Sequence, residues 1–349
     1  MRLGLMWALL RFQAPLVLSL CAPPASRAEP SVSVYGLLDT TLRHATHADA
    51  GGSSLFSMND GAFTGSRLGF RGTEDLSSGM KAFFSIEQGL DPSAGTLMQV
   101  TAAANYGQTA APAGRAFGRE ALVGLNAGSA GTLTIGRQYT LANVYSGRFQ
   151  PNANPNQEVL ALLVGHQLIR QDNMVQYTVD AGPVSASVSA TLGEGMNGAS
   201  WAFAVAYKAD GVDAAAYSSS MHNVDNSETR RVLGTGAAFK LASGWKAYLG
   251  TMKRRDSLSR QTNTVWVGAL AYSAGSFVYT LSAGEDRQRR VAAGSRQLAW
   301  LHVDYLLSKR TDLYVVLDAN RITGAYPLTA FMTHRGQQHG AALGVRHRF

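Results

Sequence analysis

Apolar side chains recur at every second position in one segment after another of this chain. That period builds strands with one apolar and one polar face, and it does not build amphipathic helices. In residues 184 to 192, Val184, Ala186, Val188, Ala190 and Leu192 alternate with Ser185, Ser187, Ser189 and Thr191. In residues 311 to 319, Leu313, Val315, Leu317 and Ala319 alternate with Asp312, Tyr314, Val316 and Asp318, the second set being placed to line water. The final segment puts Ala341, Leu343, Val345, His347 and Phe349 on one face, with Ala342, Gly344, Arg346 and Arg348 on the other. A strand that is apolar on one side and carries arginines on the other suits a wall between lipid and water, as in a transmembrane β-barrel.

Alternating segments bounded by turn residues are predicted near 31–43, 63–73, 79–90, 116–127, 131–140, 171–180, 184–192, 199–208, 212–222, 230–241, 244–254, 262–273, 275–285, 295–307, 311–321 and 339–349, sixteen in all. Short turns, such as Ala209-Asp210-Gly211, Ala242-Ser243, Ala274 and Ser308-Lys309-Arg310, alternate with long connections at 44–62, 91–115 and 141–170. Short periplasmic turns on one rim and long extracellular loops on the other are the pattern of an outer-membrane barrel. Sixteen strands enclose a space too wide for their own side chains to fill, which implies an aqueous channel. Trp201, Phe203, Val205 and Tyr207 share a face, as do Phe277, Tyr279 and Leu281, so aromatic residues fall where interfacial girdles stand.

The start of the chain fits export. Arg2 and Arg11 flank a first apolar stretch, Ala14 to Ala22 follows, and Ser26-Arg27-Ala28 has the small-x-small pattern of a cleavage site. Residues 1–28 are expected to be a cleaved signal peptide, with a barrel domain from 29 to 349. Cys21, the only cysteine, lies in the segment to be removed, so the mature chain is expected to hold no thiol. Leu20 stands where lipoprotein processing at Cys21 would want a small residue. After residue 28 no apolar run approaches the roughly 18 residues of a membrane helix. The chain carries a formal charge of +8, but without Arg2, Arg11 and Arg27 there remain 28 basic residues against 23 acidic ones, a modest surplus.

Four motifs resemble the Gram-negative general porins of the betaproteobacterial type: Ser33-Val34-Tyr35-Gly36-Leu37-Leu38-Asp39; Ser66-Arg67-Leu68-Gly69-Phe70-Arg71-Gly72-Thr73-Glu74-Asp75-Leu76; Gly131-Thr132-Leu133-Thr134-Ile135-Gly136-Arg137-Gln138-Tyr139; and Gly344-Val345-Arg346-His347-Arg348-Phe349. The resemblance spans the whole mature chain. It implies an all-β fold, a 16-stranded antiparallel transmembrane β-barrel with an inward-folded third loop, assembled as a homotrimer in the outer membrane among lipid and lipopolysaccharide. It also implies passive diffusion of small hydrophilic solutes with a preference for anions.

Charges at the narrowest ring of a pore set which small ions pass, and wall arginines favour anions. Arg67 and Arg71 lie on the face opposite Leu68 and Phe70 and are expected in the lumen. By resemblance, the constriction arginines match Arg67, Arg119 and Arg170, with Arg137 as a further candidate. Arg119 shares parity with Ala121 and Val123, and Arg137 with Leu133 and Ile135, so either a bulge re-aims these two or they lie at a contact between subunits. The connection from Leu141 to Ile169 is the candidate constriction loop. Asn154-Pro155-Asn156-Gln157 opens a predicted short helix running to Val164, in which Glu158 is the loop's one acid, with Asp172 just beyond.

Other functions find less footing. The basic clusters at Lys253-Arg254-Arg255 and at Arg287, Arg289 and Arg290 are expected at strand ends, solvated or facing lipopolysaccharide phosphates, and nothing suggests nucleic-acid binding. His302 and Asp304 share a lumen face and form the best pair for a barrel-embedded hydrolase, yet a polar lumen supplies that combination by chance. No nucleotide-binding loop or metal-ligand spacing is present, so no cofactor is expected. A substrate-specific channel remains the alternative that would use the same barrel.

Overall fold

The computed structural model describes residues 31–103, 105–108, 114–153, 162–193, 198–329 and 331–349. Its strands in chain order are β1 (Ser31–Ala45), β2 (Leu55–Asp60), β3 (Arg67–Asp75), β4 (Lys81–Asp91), β5 (Thr96–Met98), β6 (Glu120–Asn126), β7 (Thr132–Tyr139), β8 (Arg170–Ala181), β9 (Val184–Thr191), β10 (Ser200–Ala209), β11 (Val212–His222), β12 (Thr229–Lys240), β13 (Trp245–Asp256), β14 (Thr262–Ala274), β15 (Phe277–Arg289), β16 (Gly294–Leu306), β17 (Thr311–Gly324) and β18 (Gly336–Arg348). Every pairing is antiparallel, and β1 joins β18 from Leu37↔Arg348 to Ala45↔Gly340, so the sheet closes on itself. β2 and β3 share one wall position beside β1, and β5 and β6 share one beside β4, which leaves the sixteen wall positions expected.

The alternation read in the sequence becomes inside and outside. In β18, Leu343 and Val345 are 56% and 45% exposed on the outer surface, whereas Arg346 on the opposite face is 8% exposed. Outer aromatics gather at the rim of short turns, where Trp245 stacks on Tyr272 with ring centroids 4.6 Å apart and Phe277 meets Tyr305 at 4.7 Å. Such belts sit at lipid headgroups.

The closing seam is held by side chains that reach across β18. The Tyr314 hydroxyl on β17 donates to Asp39 Oδ1 on β1 at 2.5 Å and lies 2.5 Å from Thr41 Oγ1. Arg43 donates to both carboxylate oxygens of Asp318 at 2.7 and 2.9 Å. These bridges pass over Gly344 and Gly340, where a Cβ would overlap the Tyr314 ring and the Arg43–Asp318 pair.

Two segments differ from expectation. The strand predicted over 63–73 begins at Arg67; residues 61–66 instead turn into the barrel between β2 and β3. Phe63, 1% exposed, packs on His302 (centroids 3.9 Å apart) and edge-on to Tyr314 (4.6 Å). The Ala62 amide bonds to Thr41 Oγ1 and the Thr64 amide to Asp39 Oδ2, so the seam residues satisfy the backbone that leaves the ladder. Arg254, expected solvated at a strand end, points inward and pairs with Asp256 and with His166, because alternation along β13 places position 254 inside.

The third long connection starts with a helix that the sequence reading missed, α1 (Leu141–Ser146), capped by Thr140, whose side-chain oxygen accepts from the Asn143 amide at 3.2 Å. It lies against the inner face of the wall: Tyr145 Oη is 2.8 Å from Ser187 Oγ, and Phe149 fills space that a Cβ on Gly236 or Gly250 would occupy. Leu162 and Leu163 continue the cover, joining Met252, Val265, Val267 and Trp300 in one apolar cluster. The connection ends in a polar anchor, where His166 binds Asp286, which also accepts from Tyr326 at 2.6 Å and from Asn263 at 3.0 Å. The helix predicted from Asn154, and Glu158 within it, lie outside the described residues apart from 162–164, which form turns.

Candidate pore constriction

β3 and β4 supply the base of the site. Tyr35, Gly69, Glu87 and Glu120 lie directly opposite one another on β1, β3, β4 and β6 and face inward, flanked by Arg67 beside Gly89 and by Arg71 beside Ser85. Arg67 Nε lies 3.5 Å from Glu87. The Arg71 guanidinium lies over the Tyr35 ring at 3.9 Å, and the Tyr35 hydroxyl donates to Glu87 at 3.0 Å. Both arginines are therefore on the lumen face expected from their parity.

Arg119 and Arg137 reach the same cluster through broken alternation. The Arg119 amide donates to the Glu87 carbonyl at 3.0 Å although the residue opposite Glu87 in the ladder is Glu120. Two residues thus oppose one, a bulge that swings the Arg119 side chain to Glu87 (2.5 Å) and to the Tyr139 hydroxyl (2.7 Å). The β7–β8 register shifts between Gly136 and Gln138, and across from it Asn173 takes a left-handed φ of 55°. Arg137 there donates to Asp172 at 2.6 Å and to the Gly118 carbonyl at 2.8 Å. Of the two alternatives that parity left open, a bulge is what occurs at both positions.

Arg170, opposite Tyr139 in the ladder, donates to its hydroxyl at 2.6 Å, with the guanidinium 4.2 Å from the ring centre. Asp172 accepts from a second arginine, Arg115, at 2.6 Å. Arg115 escaped the sequence reading because it sits in a long aperiodic connection. Glu87 carried a usable signal, since it shares parity with Ser85 in a strand predicted over 79–90. Six guanidinium groups (Arg67, Arg71, Arg115, Arg119, Arg137 and Arg170) thus surround three carboxylates (Glu87, Glu120 and Asp172), a surplus of three positive charges within the cluster.

Across the lumen the described part of the third connection, 141–153 and 162–169, carries no aspartate or glutamate. Its described arginine, Arg148, pairs with Asp213 at 2.7 Å. Guanidiniums are held in place by shared carboxylates and tyrosines, with an excess of positive charge of the kind that attracts anions. His302 packs between Phe63 and Tyr314, and Asp304 faces Arg346 at 3.5 Å, so the two are engaged elsewhere. Among the described residues no group of three or more histidine, cysteine or acidic side chains is placed to hold a metal.

Comparison with known proteins follows the same line. The family model described as Gram-negative porin matches residues 14–325. An outer membrane porin protein of Bordetella pertussis is 35% identical over 167 residues, covering 44% of this chain and 40% of that protein. Outer membrane porin protein 32 of Delftia acidovorans is 41% identical over 68 residues, 20% of this chain and 19% of that one. The matched stretch therefore spans less than half the length of these curated relatives. Among solved structures, the anion-selective porin from Comamonas acidovorans superposes with a TM-score of 0.76 at 20% identity, covering 92% of this chain and 100% of that one. The trimer form of OmpT from Vibrio cholerae gives 0.66 at 12% identity, over 92% and 99%. At such identities the structural likeness is one of fold.

Proposed function

The chain belongs to the Gram-negative porin family, and on that premise we propose that it forms a water-filled channel in the outer membrane through which small hydrophilic solutes and ions diffuse, with a preference for anions. The observation that carries the sign of selectivity is the surplus of three guanidinium groups over carboxylates within the cluster from Arg67 to Arg170, facing a connection whose described residues add no acid. A fixed positive wall in a confined channel raises the local concentration of anions and the barrier for cations. The anion-selective Comamonas porin shares the fold and supports the reading. Family and fold indicate a channel rather than an enzyme.

Finer features belong to the same proposal. Residues 1–28 act as a cleaved signal, and 29–349 form the barrel. The active form is a homotrimer, in keeping with the trimeric OmpT of the same fold, with lipid and lipopolysaccharide around its outer belt. Arg67, Arg71, Arg119, Arg137 and Arg170, with Asp172, act as the constriction, and Glu158 is assigned to it as the loop's acid. Replacing Arg67 with glutamate reverses one charge beside Glu87 and is expected to lower the chloride-to-potassium permeability ratio of the reconstituted channel severalfold. An unchanged ratio in a folded variant would remove Arg67 from the constriction.

A further inference from the structure

Most apolar residues on the inner wall are covered. Val232, Met252, Val265, Val267, Trp300 and Val316 are all buried beneath the third connection or against the excursion that carries Phe63. Phe83 and Leu122 lie outside that cover. They stand on the inner face of β4 and β6, half-exposed, Leu122 directly opposite Ser85 and Phe83 two residues along the strand from it, and border a cavity of about 300 Å³ together with Arg71, Glu120 and Thr134. The volume falls at the lower end of the range for small-molecule sites.

The chemistry of this cavity is mixed in a particular way. Its floor is a phenyl ring beside a branched aliphatic side chain, apolar surface that a simple ion filter has no use for and that water wets at a cost. Its cation is Arg71, which rests on Tyr35 and has no carboxylate within ion-pair distance among the described residues. Glu120 accepts from Ser85 Oγ at 2.9 Å and bounds the cavity on the side of the arginine cluster, where Arg170 and Arg71 both act on it. An occupant fits best with its negative group at Arg71, away from Glu120, and a flat apolar body on Phe83 and Leu122.

We propose that this cavity is a transit site for small aromatic carboxylates, beside the arginine cluster on the side of the short turns. The inference rests on the channel reading above and deepens it from anions in general to one amphipathic class. The guanidinium takes the carboxylate through paired hydrogen bonds, and the ring gains contact with Phe83 that an aliphatic acid of one or two carbons cannot make.

The test compares benzoate with acetate in planar bilayers holding the full-length channel, by reversal potentials under sodium benzoate and sodium acetate gradients. The benzoate-to-acetate permeability ratio is expected to exceed the ratio of their free mobilities by about fivefold, from the extra apolar contact. It should return to the mobility ratio in Phe83→Ser, while the chloride-to-potassium ratio holds. Leu122→Thr, a milder change, carries the same expectation in part and replaces Phe83→Ser if that variant does not insert. A wild-type ratio equal to the mobility ratio overturns the proposal, as does an excess that survives both substitutions. A wild-type protein that opens no channel contradicts the channel reading itself, whereas a chloride-preferring channel blind to the ring contradicts this inference alone.

Discussion

Glu87 is the residue on which the proposed constriction turns. It binds Arg119 at 2.5 Å, Arg67 at 3.5 Å and the Tyr35 hydroxyl at 3.0 Å, so one carboxylate sets the positions of two guanidiniums. Glu87→Gln keeps the shape and removes the charge. The channel should become more anion-selective while the fold loses about 1–3 kcal/mol, because a buried guanidinium is left underpaired; reversal potential and urea midpoint read the two effects separately. A second residue-scale test lies on the rim. Glu228 accepts from Tyr106 at 2.7 Å and from Ser259 Oγ at 2.6 Å, tying the segment around Tyr106 to the neighbouring loops. Burial alone would raise the Glu228 pKa, but the hydrogen bonds from Ser259 and Tyr106 outweigh it and hold the carboxyl below its usual value. A depressed carboxyl contributes stability that is complete above the unfolded value, about 4.3, and is lost as pH falls through the folded value. Cleavage of the 105–108 segment by an acid-tolerant protease should therefore rise below pH 4 or so in the wild type. It should already be high and nearly flat with pH in Glu228→Gln. Of these residues the sequence made the arginines legible through parity and resemblance. It did not reveal their partners, since which acid meets which arginine depends on register between strands.

At the scale of elements, the strands were legible and their interruptions were not. A period of two is a local property, so fifteen of the predicted wall strands appear at their positions with end shifts of a few residues. The remaining one, 63–73, starts late, at Arg67, because residues 61–66 find better partners inside, in Thr41, Asp39 and the ring of Tyr314, and only the folded seam supplies those partners. The conflict of parity at Arg119 and Arg137 did announce the two bulges. Helix α1 was hidden because Thr140 reads equally well as the end of β7 and as a cap. Two substitutions test the elements. Phe149→Ala empties the notch over Gly236 and Gly250 and costs about 3–5 kcal/mol of packing; the third connection should loosen, seen as larger and noisier single-channel conductance. Gly344→Val places a branched side chain where the Tyr314 ring crosses β18, a strain of about 1–3 kcal/mol. The barrel should still form, with a lower urea midpoint in gel-shift unfolding.

Taken whole, the molecule divides its lumen by chemistry. The inner face from β10 to β17 holds an apolar patch that serves as a bed for the third connection, while the cluster on β3 to β8 carries the unbalanced guanidiniums. At the seam Arg43, Arg346 and Arg348 pair with Asp318, Asp304 and Asp312, so the unpaired guanidiniums gather on the other wall. This asymmetry was only partly readable in the sequence: composition gave a small positive surplus, but where it gathers depends on which arginines share carboxylates. The most direct test of the account is the zero-current potential of the wild-type protein in a planar bilayer under a potassium chloride gradient. An open channel is expected, whose potential moves toward the chloride equilibrium value and shifts further in that direction for Glu87→Gln. A potential on the potassium side, or a barrel that does not conduct, would contradict it.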